Sequence, residues 1–298
     1  MLPSSAKGFL LAAAAGFCWG SMGVAVQAMM TESTLTPLDL VCLRTVGAGL
    51  LLTLFTLLID RAGVKTLFSD RHLIFDTALY GVLVFCSHLA FFESIRASSA
   101  AMAAVIIMVS PLFVILWTSF RTHKPVSRSE AAAFVLALAG TVLIITKGRF
   151  DFSEMSIAGA LWGLLCAVLS AANVVQPINA LKREGSAVLV GWGMLFSGGL
   201  SMLFHPVTAI EVAWTPELIG GVAYIAAVGT ALAFVLYMQS LKYVAPAVTS
   251  ILVCFEPLSA VILSVLLLGM SFNAAVVIGG LMIFAMVFVL FKGSPEAS

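Results

Sequence analysis

The sequence predicts an all-α membrane protein of ten transmembrane helices, arranged as two inverted repeats of five helices each. Three observations support this fold class. Hydrophobic residues make up 61% of the 298 residues and charged residues only 10%, whereas soluble proteins carry about 25% charged residues. Ten apolar runs approach the ~20 residues that a bilayer-spanning helix needs. The third observation is an ungapped match between the two halves of the chain.

The internal match joins residues 91–116 to residues 237–262, which lie 146 positions later (237 − 91). Pro111 aligns with Pro257, and in each copy a short polar corner interrupts an apolar run. A pair of membrane helices repeated in two halves is typical of secondary transporters, whose substrate site lies between the halves. The predicted repeats comprise residues 1–150 and 151–298.

The apolar runs are continuously hydrophobic, which favours helices over the alternating pattern of a β-barrel. The linkers are short, and none is long enough to fold as a soluble domain; the longest are 60–72 and 205–215. The approximate limits of the runs are 8–30, 38–59, 73–93, 97–120, 129–147, 156–181, 186–204, 216–241, 245–268 and 272–291.

The distribution of lysine and arginine predicts the orientation of the helices. If the N-terminus is cytoplasmic, eleven of the fifteen basic residues lie on the cytoplasmic side, three lie outside, and Arg44 lies within a run. Cytoplasmic loops carry the excess of basic residues, so both termini are expected in the cytoplasm, with the chain in the inner membrane. Because each half has an odd number of helices, the second half enters the membrane in the opposite sense.

Composition and motifs argue against several classes of function. A net charge of +1 argues against nucleic acid as a partner. The five cysteines are isolated, so no metal or other cofactor is expected. No motif of a known catalytic site occurs, so the chain is not expected to be an enzyme. The expected partners are a small-molecule substrate and the lipid bilayer, with the protein as a monomer or homodimer.

Four segments resemble the EamA-like branch of the drug/metabolite transporter superfamily: FCWGS, PLDLVCLRTVGAGLLL, SIRASSAAMAAVIIMVSPLF and its echo SLKYVAPAVTSILVCFEPLS. The resemblance covers nearly the whole chain. It implies ten helices and, among bacterial members, export of amino acids or related metabolites. Family members often carry an acidic residue just after the fourth and ninth helices, where this chain has Thr122 to Lys124 and Gly269 to Ser271.

The favoured interpretation is a secondary active transporter that exports a small metabolite, an amino acid or an amine-like or zwitterionic solute, by alternating access, driven by a proton or other gradient. Uptake of a small organic solute or organic cation is the alternative within this class. A non-transporting membrane receptor or assembly factor, and an intramembrane enzyme, are the alternatives from other classes. Substrate-dependent flux in proteoliposomes separates transport from the two alternatives of other classes.

Glu256 is the principal candidate for substrate binding or for coupling to an ion. It lies about halfway along the ninth run, where an ionisable group costs on the order of 3 kcal/mol. Pro257 follows it directly, and proline can open a membrane helix locally. Pro257, Pro111 and Pro177 are therefore predicted helix breaks or hinges. The alternative for Glu256 is a structural acid that is hydrogen-bonded to a neighbouring helix.

Arg44 and His88 are further ionisable groups within predicted helices. Arg44 is a candidate for binding a substrate carboxylate; otherwise it would pair with Asp39 or Glu93, or extend to the membrane surface. His88 is a candidate for a proton relay in coupling, because histidine titrates near physiological pH. A hydrogen bond to a helix backbone is the alternative for His88.

Five more side chains are predicted to line the substrate cavity: Trp19, Tyr80, Asn173, Gln176 and Tyr224. Trp19 lies too deep for the interfacial aromatic belt. Asn173 and Gln176 share one face of the sixth helix, although carboxamides also hold membrane helices together. Tyr80 and Tyr224 lie at matching positions in the third and eighth runs.

This predicted lining is aromatic and polar and holds one carboxylate, with Arg44 above it. It suits a small zwitterion, whose ammonium would meet Glu256 or an aromatic face and whose carboxylate would meet Arg44. A site that needs only an acid and aromatic rings would favour an organic cation. The two hypotheses differ in the role of Arg44.

Overall fold

The structure is a computed structural model that describes residues 4–97, 100–149, 156–268 and 273–293. These ranges are almost entirely helical, and they contain no β-strand. The predicted boundary between repeats at 150/151 and the corner at Gly269 to Ser271 lie outside the described residues. The predicted all-α fold class is confirmed.

The helices follow the apolar runs closely. A 3-10 turn occupies Val207–Ala209, and a π-helical segment, Ala227–Leu232, joins two α-helices of the eighth span. The α-helices are α1 Ser4–Glu32, α2 Pro37–Ile59, α3 Arg61–Ser69, α4 Arg71–Ala97, α5 Ala100–Ile107, α6 Ser110–Thr122, α7 Arg128–Thr146, α8 Ile157–Val175, α9 Ile178–Glu184, α10 Ser186–Phe204, α11 Pro216–Ala226, α12 Ala233–Ser240, α13 Pro246–Leu252, α14 Phe255–Leu268 and α15 Ala274–Gly293.

Within the described ranges, nine spans are long and apolar enough to cross a bilayer. A further apolar helix, Pro246–Ala260, is shorter and lies in the ninth predicted run. The architecture is therefore the expected ten-helix membrane fold. The nine spans are Ser5–Met30, Leu38–Ile59, Arg71–Ala97, Ala103–Thr122, Arg128–Thr146, Ile157–Glu184, Ser186–Phe204, Pro216–Ser240 and Ala274–Lys292.

Local capping explains where individual helices begin. The Thr36 side chain accepts a hydrogen bond from the Asp39 backbone N–H, and the Asp39 carboxylate accepts one from the Thr36 backbone N–H. Ser127 and Glu130 form the same reciprocal box at the start of α7. Each box satisfies backbone donors that the first helical turn leaves unpaired. Two of the predicted membrane runs are thereby given defined starting points.

The predicted linker 60–72 contains a helix that the hydropathy pattern did not indicate. Asp60 caps α3 by accepting a hydrogen bond from the Gly63 backbone N–H at 3.0 Å. Val64 and Leu67 are buried, and the Phe68 ring contacts Trp192 with centroids 4.8 Å apart. This short amphipathic helix packs against the bundle, because its one apolar face has a partner there.

The three prolines predicted as helix breaks lie at interruptions of the spans. The fourth span breaks at residues 108–109, between α5 and α6, shortly before Pro111. The ninth breaks at the equivalent place, residues 253–254, shortly before Pro257, and α8 ends beside Pro177. Proline lacks the backbone donor that would continue the helical ladder. The matching breaks in the fourth and ninth spans are a structural counterpart of the sequence repeat.

The main helix contacts join the two halves of the chain. Helix α1 packs against α12 and α14, α2 against α10, α4 against α8, and α7 against α15. Each of these contacts pairs a helix from the first 150 residues with one from the rest. Residues on the inner faces of α1, α2, α4 and α14 therefore lie where both halves meet.

Candidate functional site

Arg44 and His88 meet between α2 and α4. The Arg44 guanidinium Nη2 lies 3.1 Å from His88 Nε2. Because guanidinium nitrogens only donate, Arg44 is the donor and His88 Nε2 carries no proton. Arg44 Nε and His88 Nδ1 are buried and have no hydrogen-bond partner among the described residues. Arg44 therefore keeps a donor free for a ligand, with His88 as its hydrogen-bond partner.

Arg44 pairs with neither of the acids considered from the sequence. Asp39 instead contacts the imidazole of His205, which directly follows the end of α10. Glu93 accepts hydrogen bonds from Arg96 at the end of α4, at 2.9 Å from Nε. Asp39 and Glu93 are therefore each paired with another residue. The hydrogen-bond partner of Arg44 is His88.

Glu256 lies in the first turn of α14, directly after the break in the ninth span. Its carboxylate and the Arg44 guanidinium are close enough to interact electrostatically. The ion pairs within 4.0 Å in the described part of the chain do not include this pair. A cation and an anion from opposite halves of the chain therefore lie within electrostatic range of one another and form no ion pair within 4.0 Å.

The backbone of α1 touches the backbone of α14 at Glu256. A Cβ atom added at Gly20 would come within 2.5 Å of the Glu256 carbonyl oxygen and 2.8 Å of Ala260 N. Ser259 Oγ also donates to the Glu256 carbonyl oxygen at 2.9 Å. Only glycine permits so close an approach of two membrane helices. The position of the Glu256 backbone is therefore determined by α1.

An aromatic cluster, hereafter the aromatic wall, lies along α1, α4 and α12 and consists of Trp19, Tyr80, Phe234 and Tyr237. The Trp19 ring lies 5.1 Å from Phe234 and 5.4 Å from Tyr237, measured between ring centroids. Tyr80 and Tyr237 belong to the same buried cluster. The Tyr80 hydroxyl is buried and has no hydrogen-bond partner in the described ranges. The wall therefore combines apolar ring faces with one free hydroxyl.

Asn173 and Gln176 join α8 to α4 by their amide nitrogens. Asn173 Nδ2 donates to Ser87 Oγ, and Gln176 Nε2 donates to the Asp76 carbonyl oxygen, each at 3.1 Å. Their carbonyl oxygens, Oδ1 and Oε1, are buried and unpartnered within the described residues. The two amides thus hold the helices together and still retain acceptors that a polar ligand group requires.

Tyr224 lies outside the aromatic wall. Its side chain is 37% exposed, and its hydroxyl donates to Ser21 Oγ at 2.8 Å. That Tyr224 lines the substrate cavity, as predicted for both tyrosines, stays a prediction; the buried cluster that contains Tyr80 does not include Tyr224. Tyr237 belongs to that cluster.

Sequence reasoning missed Tyr237 and Phe234. Both lie in an apolar stretch of the eighth span that resembles ordinary lipid-facing sequence. The internal repeat aligns Tyr237 with Phe91. This alignment indicates that the two halves correspond but does not indicate that Tyr237 contributes to a site. The π-helical segment before α12 rotates the residues that follow it relative to a continuous α-helix. Their orientation therefore depends on a feature that helical periodicity does not include.

A second polar group missed by the sequence lies at the other end of α4. Thr77 Oγ1 donates to Glu184 Oε1 at 2.8 Å, and the carboxylate is 2% exposed. Next to it, Arg183 Nη1 donates to Asp70 Oδ2 at 2.7 Å, and this hydrogen bond holds the pKa of Asp70 below its usual range. Both contacts tie the first half of the chain to the second.

Comparisons with known proteins agree with this architecture. The model of the EamA-like transporter family matches residues 6–146 and 157–292. YicL of Salmonella typhimurium, named an uncharacterized inner membrane transporter, is 30% identical over 96% of each chain. YddG of Ancylobacter novellus, named an aromatic amino acid exporter, is 26% identical over 41% of this chain and 42% of its own.

A solved crystal structure with 17% sequence identity covers 96% of this chain and 97% of its own, with a TM-score of 0.81. At that identity the similarity shows the fold alone. The family matches, together with the spans, confirm the resemblance seen in the sequence. The protein is a multi-pass membrane transporter, and the chain belongs to the EamA-like transporter family.

Proposed function

We propose that the protein exports a small zwitterionic metabolite of the amino-acid type across the inner membrane by alternating access, driven by a proton or other gradient. The observation that carries the proposal is the placement of Arg44 and Glu256. They come from opposite halves and interact electrostatically, yet they form no ion pair within 4.0 Å.

Two separated charges of opposite sign in a membrane protein are costly to maintain. A direct ion pair would reduce that cost if the two residues had only a structural role. A zwitterion placed between them neutralises both, because its carboxylate accepts from Arg44 and its ammonium donates to Glu256. The arrangement therefore favours a ligand that carries both charges.

The aromatic wall supports an amino acid with an apolar or aromatic side chain. Trp19 on α1 and Tyr237 on the neighbouring helix α12 supply aromatic rings whose centroids lie 5.4 Å apart. Aromatic rings prefer edge-to-face or offset contact with other rings. The name of the relative YddG, an aromatic amino acid exporter, agrees with this substrate class and with the outward direction.

Alternating access requires the two halves to move relative to each other around the site. Glu256 follows the break before Pro257, and Pro111 marks the equivalent break in the first half. A rocking movement that bends the ninth span at residues 253–254 would carry Glu256 toward or away from Arg44. The distribution of basic residues supports a cytoplasmic location for both termini, which is part of the proposal.

An organic cation is the second candidate substrate, moved in either direction. It would use Glu256 and the aromatic wall and would not need Arg44. The presence of Arg44 near Glu256 favours the zwitterion, since an uncompensated guanidinium would repel a cationic substrate. A receptor or assembly factor without transport activity would show no flux of either compound.

The test is exchange of labelled substrate by the purified protein in liposomes. L-phenylalanine serves as the zwitterion and choline as the organic cation. Exchange of phenylalanine is expected in the wild-type protein and should be lost in Arg44→Gln and Glu256→Gln. Glu93→Gln is the matched control, because it removes an acid that pairs with Arg96 near the end of α4. Choline exchange that survives in Arg44→Gln, without phenylalanine exchange in the wild type, would contradict the proposal.

A further inference from the structure

We propose that His88 is the proton-binding site of an antiport cycle, in which a proton on His88 and a zwitterion on Arg44 and Glu256 exclude each other. The inference rests on the proposed function, because it uses the same arginine and glutamate for the substrate. It adds the co-substrate, a proton, and the residue that carries it. The driving ion and its site are assigned by no other observation on this chain.

The contact between Arg44 and His88 determines which form of the imidazole is present. Arg44 Nη2 donates to Nε2 at 3.1 Å, so Nε2 supplies a lone pair and the single ring proton is on Nδ1. Nδ1 is buried without a hydrogen-bond partner in the described part of the chain. His88 is therefore neutral whenever this hydrogen bond exists.

The helices around His88 supply few other charges. Helices α8 and α10 make the most extensive contacts with α4. Neither helix contains an Asp, Glu, Lys, Arg or His, over Ile157–Val175 for α8 and Ser186–Phe204 for α10. Arg44 is the charged group that contacts His88, and Glu256 is the acid that interacts with Arg44. The remaining ionisable groups of α4 and of the elements packed on it lie toward the helix ends or are thiols and phenols: Asp39, Cys42, Arg61, Lys65, Arg71, His72, Asp76, Tyr80, Cys86, Glu93, Arg96, Cys166, Lys182, Arg183 and Glu184.

Binding of a proton at Nε2 converts the acceptor into a donor. Two cationic donors then face each other at the former hydrogen-bond distance, and Arg44 must leave. Glu256 is the acid within electrostatic reach of the guanidinium. Pairing of Arg44 with Glu256 would occupy both charges that the zwitterion needs. The protonated transporter therefore has no free site for the substrate.

Binding of the zwitterion has the opposite effect. Arg44 has five N–H donors, and His88 uses one of them, so others remain for the substrate carboxylate. The ammonium group occupies Glu256 and keeps it from drawing Arg44 away. His88 Nε2 then continues to accept from Arg44 and has no lone pair for a proton. Proton and substrate therefore alternate on the transporter, as antiport requires.

The charges of the two forms make the cycle electrogenic. The protonated empty site carries His88⁺, Arg44⁺ and Glu256⁻, a net charge of about +1. The substrate-loaded site carries Arg44⁺ and Glu256⁻ with a neutral histidine and a neutral zwitterion, a net charge of about 0. Export of one zwitterion would thus be accompanied by entry of one proton. The proton binds to His88 from the outside and is released from His88 to the inside.

His88→Gln separates proton coupling from substrate binding. The glutamine carbonyl oxygen accepts a hydrogen bond from Arg44 but does not take up a proton at physiological pH. Exchange of labelled L-phenylalanine at equal pH on both sides should stay within about threefold of wild type, whereas accumulation driven by a pH gradient should fall at least about tenfold. His72→Gln, at the exposed start of the same helix, is the matched control and should retain both activities.

A measurement on the unaltered protein covers the case in which the variant does not fold. Addition of L-phenylalanine to the purified wild type in weak buffer should release protons, in a ratio that rises toward about one per substrate bound as the starting pH is lowered, detected with a pH indicator. Gradient-driven accumulation in His88→Gln, or no proton release on binding, would overturn the assignment of His88. Absence of phenylalanine exchange in the wild type would instead overturn the proposed function, so the two failures are distinguishable.

Discussion

Replacement of Gly20 by alanine should displace Glu256, because α1 and α14 touch at this point. The added Cβ would lie 2.5 Å from the Glu256 carbonyl oxygen and 2.8 Å from Ala260 N, whereas ordinary contact begins at 3.4 Å. The backbones must therefore separate by about 0.9 Å (3.4 − 2.5). Overpacking of this kind costs about 1–3 kcal/mol, and the upper part of that range applies because backbone atoms cannot rotate away.

Gly23→Ala is the matched control on the same helix, because a Cβ there has nothing within 4 Å. Both substitutions gain up to about 1 kcal/mol of helix propensity, so the difference between them isolates the packing cost. In domains of 150–250 residues, 1 kcal/mol corresponds to a shift of about 2–4 °C in melting temperature. Gly20→Ala should therefore melt several degrees below Gly23→Ala in detergent.

The same displacement should impair transport. A shift of about 1 Å in a positioned polar group is enough to reduce activity by about 100-fold in enzymes. Phenylalanine exchange should accordingly fall at least about tenfold in Gly20→Ala and stay at the wild-type level in Gly23→Ala. If both variants were equally stable and equally active, the close contact between α1 and α14 would not position Glu256, and the reasoning would be refuted.

Three further predictions follow from individual contacts. Asp39→Ala should lower the free energy of unfolding by about 2–3 kcal/mol and Glu130→Ala by about 1 kcal/mol. The difference arises because Asp39 also contacts His205, whereas the capping box of α7 is exposed. Equal melting temperatures for the two variants would contradict this. The pKa of Asp70 is lowered in the folded protein, so the stability lost in Asp70→Asn should be fully present at pH 7, should begin to diminish below about pH 4, and should disappear as pH falls through the lowered pKa. A difference that does not change at any pH down to about 2 would argue against the ion pair. Val126→Cys should react with impermeant reagents only in inside-out vesicles and Thr34→Cys only in intact cells; labelling of Val126→Cys in intact cells would reverse the proposed orientation.

Much of the fold could be predicted because the bilayer restricts the solutions. Backbone groups in lipid must be satisfied within a helix, so ten apolar runs indicated ten helices. The breaks near Pro111 and Pro257 follow from the missing backbone donor. Helix α3 was missed because nine residues with one apolar face resemble a polar linker in hydropathy.

The side-chain partners of the site were less predictable. A helix in a run can rotate about its axis, and the sequence does not specify which neighbour a polar residue meets. Arg44 was considered beside Asp39 or Glu93, yet it contacts His88, 44 positions away (88 − 44). Tyr237, which was not considered, shares a buried cluster with Tyr80 and follows a π-helical segment that helical periodicity does not include. Long-range packing decides both of these contacts.

The measurement that tests the central claim most directly combines altered ligands with altered protein. L-phenylalanine, phenethylamine and 3-phenylpropionate differ only in whether they carry the carboxylate, the ammonium group or both. Binding of each to the wild type, Arg44→Gln and Glu256→Gln can be measured by calorimetry in detergent.

If the zwitterion lies between the two charges, Arg44→Gln should weaken phenylalanine by about 10–100-fold and leave phenethylamine within about threefold. Glu256→Gln should weaken phenylalanine to a similar extent and leave 3-phenylpropionate within about threefold. Equal losses for all three ligands in either variant would contradict the claim, because the substituted residue would then act on the whole site and not on one charged group of the substrate.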